Sequence, residues 1–179
     1  MKKFNIGVLA IAMILVLSVS VYAMGPGFRK AAPSPTIVDT AIAVNEDSGE
    51  FTILIAALQA ADPAIIEMLS SRGKYTVFAP TDEAFLALID ELDTTAEAVL
   101  GNQDLLNSVL TYHVVPGNRM AESVIASSRL KTLNGDFLFQ DGGVLTDVNN
   151  RDSSIIATDI VASNGVIHVI DTVVLPTLE

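Results

Sequence analysis

The stretch Asn164-Gly165-Val166-Ile167-His168-Val169-Ile170-Asp171-Thr172-Val173-Val174 decides the fold class. Strand alternation puts Val166, His168, Ile170, Thr172 and Val174 on one face, with Ile167, Val169, Asp171 and Val173 on the other. Both faces are mainly apolar, the pattern of a central strand covered on both sides. A single histidine in such a strand is expected to be a neutral, hydrogen-bonded spacer in the core. The apolar run, Val166–Leu175, is expected to be one strand.

Upstream of it, Leu130–Leu133, Phe137–Gln140, Val144–Val148 and Ile155–Val161 are short runs of strand composition. They are separated by Asn134-Gly135, Asp141-Gly142-Gly143, Asn149–Ser153 and Asn164-Gly165, the turn chemistry of hairpins. Before Arg129 the periodicity is helical. Ile37, Val38, Ala41 and Ile42 recur at three- and four-residue steps, as do Phe51, Leu54, Ile55 and Leu58. Asp62-Pro63 supplies a cap and a first-turn proline for Ile65–Leu69. Lys74–Ala79 alternates as a strand, and Pro80-Thr81-Asp82 stops it and starts a helix through Phe85 and Ile89. Thr94 with Glu97 fits a capping box. Asp104–Leu110 is helical, Thr111–Val115 is extended in character, and Ala121–Ser127 forms a further short helix. Helices first and strands later predict an α+β domain with a mostly antiparallel sheet.

The chain has 179 residues, 21 acidic and 10 basic, and no cysteine. Lys2 and Lys3 precede an apolar run from Ile6 to Val19 that ends at Val21-Tyr22-Ala23, which reads as a signal peptide over residues 1–23. Residues 24–35, with two glycines and three prolines, read as a flexible leader. Cleavage removes two of the lysines and leaves no membrane span. Strong acidity without a basic run argues against nucleic acid and anionic membranes. The absence of cysteine excludes disulfides, thiol catalysis and thiolate metal sites.

Catalytic chemistry finds little support. His113 and His168 share no paired ligand spacing. Asp147-Val148-Asn149-Asn150-Arg151-Asp152 departs from a calcium loop at positions five, six and twelve, and is expected to be a solvated turn. There is no nucleophile elbow. No cofactor is expected.

Three ordered segments together resemble the fasciclin domain: Tyr75-Thr76-Val77-Phe78-Ala79-Pro80-Thr81-Asp82-Glu83-Ala84-Phe85, Leu110-Thr111-Tyr112-His113-Val114-Val115-Pro116-Gly117, and Ala157-Thr158-Asp159-Ile160 followed by Asn164 to Pro176. The resemblance covers about residues 36–177. It implies a wedge or sandwich of β-strands with helices packed around it, carried by secreted or surface-displayed proteins. It also implies a non-catalytic module for adhesion or matrix and envelope association, secreted or periplasmic. The partner would be a cell-surface or matrix protein or a polysaccharide, with weak self-association as a further expectation. A carrier of a small apolar ligand, lipid or pigment, is the alternative. Tyr112-His113 matches a motif linked in animal members to receptor contact. Packing beside the Pro116-Gly117 turn explains the same two residues structurally. Thr81, Asp82, His168 and Asp171 fall on positions with a structural role.

Overall fold

The computed structural model describes residues 34–177; the proposed signal peptide and most of the leader lie outside them. Among the described residues the helices are α1 (Ile37–Ser48), α2 (Thr52–Ala60), α3 (Pro63–Ser70), α4 (Asp82–Glu91), α5 (Ala96–Gly101), α6 (Gln103–Tyr112) and α7 (Ala121–Ile125). The strands are β1 (Tyr75–Pro80), β2 (Val114–Pro116), β3 (Arg129–Lys131), β4 (Phe137–Asp141), β5 (Val144–Thr146), β6 (Asp152–Ala162) and β7 (Gly165–Ile170). They form one sheet in the order β2-β1-β7-β6-β5-β4-β3. Every neighbouring pair is antiparallel except β1 with β7. The α+β, mostly antiparallel wedge expected from the sequence is therefore present.

β7 is buried along its whole length, as its two apolar faces demand. Ile167, Val169 and Val173 pack into the cluster formed with the helices, including Ile37, Leu54, Leu58, Leu106 and Leu110. Ile170 and Val174 enter a second cluster with Phe78, Tyr112, Leu130, Leu138 and Leu145. The alternation continues to Val174, but the strand ends at Ile170. Beyond it, Asp171 Oδ1 accepts from the Ser154 amide at 2.8 Å and Ser153 Oγ donates to the Thr172 carbonyl at 2.8 Å. The Asp171 amide still donates to the Ser154 carbonyl at 3.2 Å, and from there side chains take over from the ladder.

The two edges of the sheet meet. The Leu133 amide donates to the Val114 carbonyl at 2.8 Å, so the chain after β3 lies against β2. Curling the sheet this way covers edges that would otherwise invite pairing with another chain.

Asn164 links three elements. Its Oδ1 accepts the Ile37 amide at 2.7 Å, and its Nδ2 donates to the carbonyls of Leu69 and Ser71. Its own carbonyl accepts from the Tyr75 amide. One side chain thus holds the start of α1 and the end of α3 where β1 begins. Gly165 follows because a Cβ there would overlap the Tyr75 carbonyl oxygen and press on Ile37.

Several boundaries differ from the sequence expectation. The cap of α5 is Thr95, whose hydroxyl accepts from the Ala98 amide, so Glu97 is not its capping-box partner. Helix α6 runs through Tyr112, with His113 as its C-cap, because Leu106, Val109 and Leu110 bury in the helix-side cluster and Tyr112 in the second one. The Asp147 turn is solvated at Asn149, Asn150 and Asp152, but Asp147 itself is buried, at 1% exposed. Its Oδ1 accepts from the amides of Asn149 and Arg151, and its Oδ2 from the Leu175 amide at 2.8 Å. Local spacing in the loop carries no sign of a partner 28 residues away.

A charge inserted at Val169, between the helices and the sheet, is expected to unfold the domain, since an unpaired buried charge has no compensating partner. Thermal melting of Val169→Asp unchanged from wild type would refute this placement. Asn164→Ala should lose about 2–4 kcal/mol, because it strands the Ile37 amide and two carbonyls at once. Urea denaturation measures that loss, and a value within 0.5 kcal/mol of zero, roughly that of an ordinary surface substitution, would contradict it.

Candidate functional site

Helix α6 has two unlike faces. Asn102 caps it, with Oδ1 accepting from the Leu105 amide at 3.1 Å. Its apolar face enters the helix-side core. Its polar face, with Asp104, Asn107, Ser108 and Thr111, lines an open groove of about 1250 Å³. Across the groove stand Asp62, Asn134, Asp136 and Thr177.

Part of this polar set serves the fold. Asn107 Oδ1 accepts from the Asp62 amide at 2.9 Å, and Asn134 Nδ2 donates to Ser108 Oγ at 2.9 Å. Asp104 is exposed, and its carboxylate accepts no hydrogen bond from the described residues. Amides, hydroxyls and carboxylates at an open groove can exchange hydrogen bonds with a polar partner.

Tyr112 and His113 are both buried. The Tyr112 hydroxyl donates to the Phe137 carbonyl at 3.0 Å, and burial pushes its pKa well above the usual phenol value. His113 Nδ1 lies 2.7 Å from the Val109 carbonyl. A carbonyl only accepts, so Nδ1 carries the hydrogen and donates. Burial pushes the His113 ring down to about 4, against the opposing pull of the Val109 carbonyl and the Asp147 charge. A macromolecule docking on this folded surface does not reach either ring. His113 also walls two small apolar cavities, of about 50 and 30 Å³, that share Leu54 and Leu110.

His168 sits between elements on the sheet side. Its Nε2 lies 2.9 Å from the Arg119 carbonyl and its Nδ1 accepts from the Asp159 amide at 3.3 Å. The ring stacks on Phe78, with centroids 5.6 Å apart. Asp159 has φ 60 within the irregular part of β6, and its carboxylate accepts the Ala121 amide at the start of α7. His168 thereby ties β7 to the bulge of β6 and to the loop before α7. Both of its nitrogens are occupied by backbone groups.

The remaining sequence-named positions are separate from these. Thr81 caps α4 through the Ala84 amide, and Asp82 accepts the amides of Thr52 and Ile53, so it serves the first turn of α2. Asp171 closes the end of β7. The structure brings none of Thr81, Asp82 or Asp171 to one cleft with His113 or His168. Among the described residues there is no group of three or more His, Asp or Glu side chains placed to hold a metal ion.

Sequence reasoning missed Asn164, Asp147 and the groove asparagines. Their only local signal is residue type, since Asn and Asp next to turns and helix starts bond backbone groups.

The model of the fasciclin domain family matches residues 49–176. Protein sll1483 of Synechocystis sp. is 40% identical over 158 residues, covering 84% of this chain and 82% of that protein. Transforming growth factor-beta-induced protein ig-h3 of Sus scrofa is 38% identical over 146 residues, covering 80% of this chain but 20% of that protein. Among solved structures, a FAS1 domain pair from the insect cell adhesion molecule fasciclin I aligns with a TM-score of 0.58 at 19% identity, over 72% of this chain and 46% of that one. At that identity the likeness concerns the fold.

The His113 ring yields a pH prediction. Its folded-state pKa of about 4 lies below the ordinary 6.5, so below pH 6.5 the unfolded chain takes a proton that the folded chain refuses. Stability from this group is complete above pH 6.5, falls as pH drops toward 4, and then levels. The expected loss is about 3 kcal/mol at most. Urea denaturation between pH 7 and pH 5 should show this slope in wild type and a shallower one in His113→Phe. Parallel slopes in the two proteins would rule it out.

Proposed function

The chain belongs to the fasciclin domain family, and from that premise we propose that it is an exported, non-catalytic binding module associating with cell-surface, matrix or envelope material. The groove along α6 is the observation that carries the docking surface. It is open, about 1250 Å³, and lined by polar groups alongside Ile65, Leu105 and Leu133, whereas both histidines are committed to the interior. Three carboxylates at its rim, from Asp62, Asp104 and Asp136, favour a polar partner that is neutral or basic, such as a polysaccharide or a polar protein surface. The net charge of −11 disfavours nucleic acid.

Export rests on the basic-then-apolar start of residues 1–23. No single helix among the described residues is long and apolar enough to cross a membrane. The carrier alternative has less room. Cavities of about 50 and 30 Å³ are far below the 300–1,000 Å³, roughly, of sites that engulf a lipid or pigment.

Asp104→Arg tests the docking surface, because this residue is exposed and its side chain makes no hydrogen bond among the described residues, its part in the fold being that of an acid in the first turn of α6. Retention on native cell-envelope material and on a polysaccharide array should fall about tenfold, the size of one contact residue of moderate weight, with a stability loss of no more than about 1–2 kcal/mol from reversing a first-turn acid. Glu122→Arg on α7, outside the groove, should leave retention intact. Equal retention of wild type and Asp104→Arg would remove the groove from consideration.

A further inference from the structure

Strands β3, β4 and β5 turn alternate side chains inward, where Leu130, Leu138, Gln140 and Leu145 are buried. The residues between them stand on the outer face of the sheet. Register sets Lys131 opposite Phe137, Arg129 opposite Phe139, and Phe139 opposite Thr146 on its other side. Phe139 is 47% exposed, and Val144, its diagonal neighbour on β5, is also exposed. The inward leucines already fill the core on this side, so the fold gains little from an aromatic ring left in water.

The cations beside that ring are unpaired. Both ion pairs among the described residues use Arg151, and neither involves Arg129 or Lys131. The Arg129 guanidinium lies instead over the Phe137 ring, 4.6 Å from its centroid. A stacked guanidinium keeps its N–H edge available for a carboxylate. Lys131 projects from the same face of β3 two residues on, about 7 Å away. In a chain of net charge −11 this is a local reversal of sign. The acids of the face stand apart from it. Asp152 lies across β4 and β5 from Arg129 and accepts the Thr146 hydroxyl at 2.7 Å, while Asp141 sits opposite Val144.

We propose that the outer face of β3–β5 binds a carboxylated polysaccharide, Arg129 and Lys131 receiving uronate carboxylates while the exposed Phe139 ring lies against the C–H face of a sugar. A uronate chain carries both complements at once: negative charge for the cations, and C–H surface for the negative face of the aromatic ring. An acidic peptide meets the cations, but its side-chain anchors bind in pockets, and this face is a pleated surface of projecting side chains. Two cations against so acidic a chain are too few for a nucleic acid. None of these residues lines the α6 groove, so the site is separate from the one proposed there and takes a partner of opposite charge.

The test titrates the full-length chain, followed by NMR at about 0.15 M salt, with three probes: a galacturonate oligomer, its methyl ester, and a glutamate oligomer of equal charge. The expected result is saturable shifts of the Arg129 side chain and the Phe139 ring, with the galacturonate bound about tenfold more tightly than the ester. Arg129→Gln combined with Lys131→Gln should erase that preference. Phe139→Ala should weaken acid and ester alike, about fivefold, the weight of one aromatic contact. All three positions are exposed, so melting should change little. Asp104→Arg should leave the galacturonate affinity within about twofold, which separates failure of this site from failure of the groove. Absence of saturation, equal binding of acid and ester, or tighter binding of the glutamate oligomer that survives Phe139→Ala would each overturn the proposal.

Discussion

The parallel pairing of β1 with β7 is the constraint on which the rest of the structure depends. It joins Tyr75–Pro80 to Gly165–Ile170, with β7 in turn paired to β6 on its other side. The intervening helices and hairpins hang from this seam. A pairing so distant in sequence brings a loop-closure cost that local propensity cannot offset, so it needs a specific lock. Asn164 and Gly165 supply it at the open end: one bonds the start of α1 and the end of α3, and the other admits the Tyr75 backbone where any side chain would collide. At the far end the Thr81 amide donates to the Ile170 carbonyl. The seam therefore also fixes where α4 begins.

The chain contains no cysteine, so its long-range ties are noncovalent. Apolar burial on both faces of β7 supplies most of the stabilisation, but it is non-directional and would tolerate a shifted register. Direction comes from buried polar groups whose partners lie far away: Asn164, His168 and Asp147 each bond backbone amides or carbonyls of another element. Each such bond adds only about 1 kcal/mol net, yet a slipped arrangement would strand its donor or acceptor at a greater cost. The Arg151–Glu91 pair at 2.6 Å joins an exposed carboxylate and adds little by comparison.

The same distinction explains what the sequence revealed. Alternation identified β7 and even sorted Val173 and Val174 into the correct clusters, because side-chain direction is a local property. The hairpin strands were visible for the same reason, and Asp62-Pro63 announced α3. The failures were of another kind. The β-branched and aromatic Thr111–Val115 looked extended, which holds for Val114 and Val115 in β2, but burial of Tyr112 at the end of α6 drew Thr111 and Tyr112 into the helix. The role of Asp147 depends on the amide of Leu175 and that of Asn164 on the amide of Ile37, contacts set by the finished fold. The groove was hidden likewise, since α6 and the Asn134 turn supply opposite walls from separate parts of the chain.

Helix α6 is where folding and binding can be separated. Its apolar stripe belongs to the core, so substitutions at Leu106 or Leu110 act on stability before anything else. Its polar face is divided: Asn107 and Ser108 hold neighbouring loops, while Asp104 is free of such duty. A surface able to change partners needs residues of the second sort beside a rigid set of the first. The Tyr112-His113 pair lies at the end of this helix yet contributes inward, to Phe137 and Val109. In the proposed docking along α6, the side chains of this pair hold the framework, and specificity falls to less conspicuous residues along the same helix.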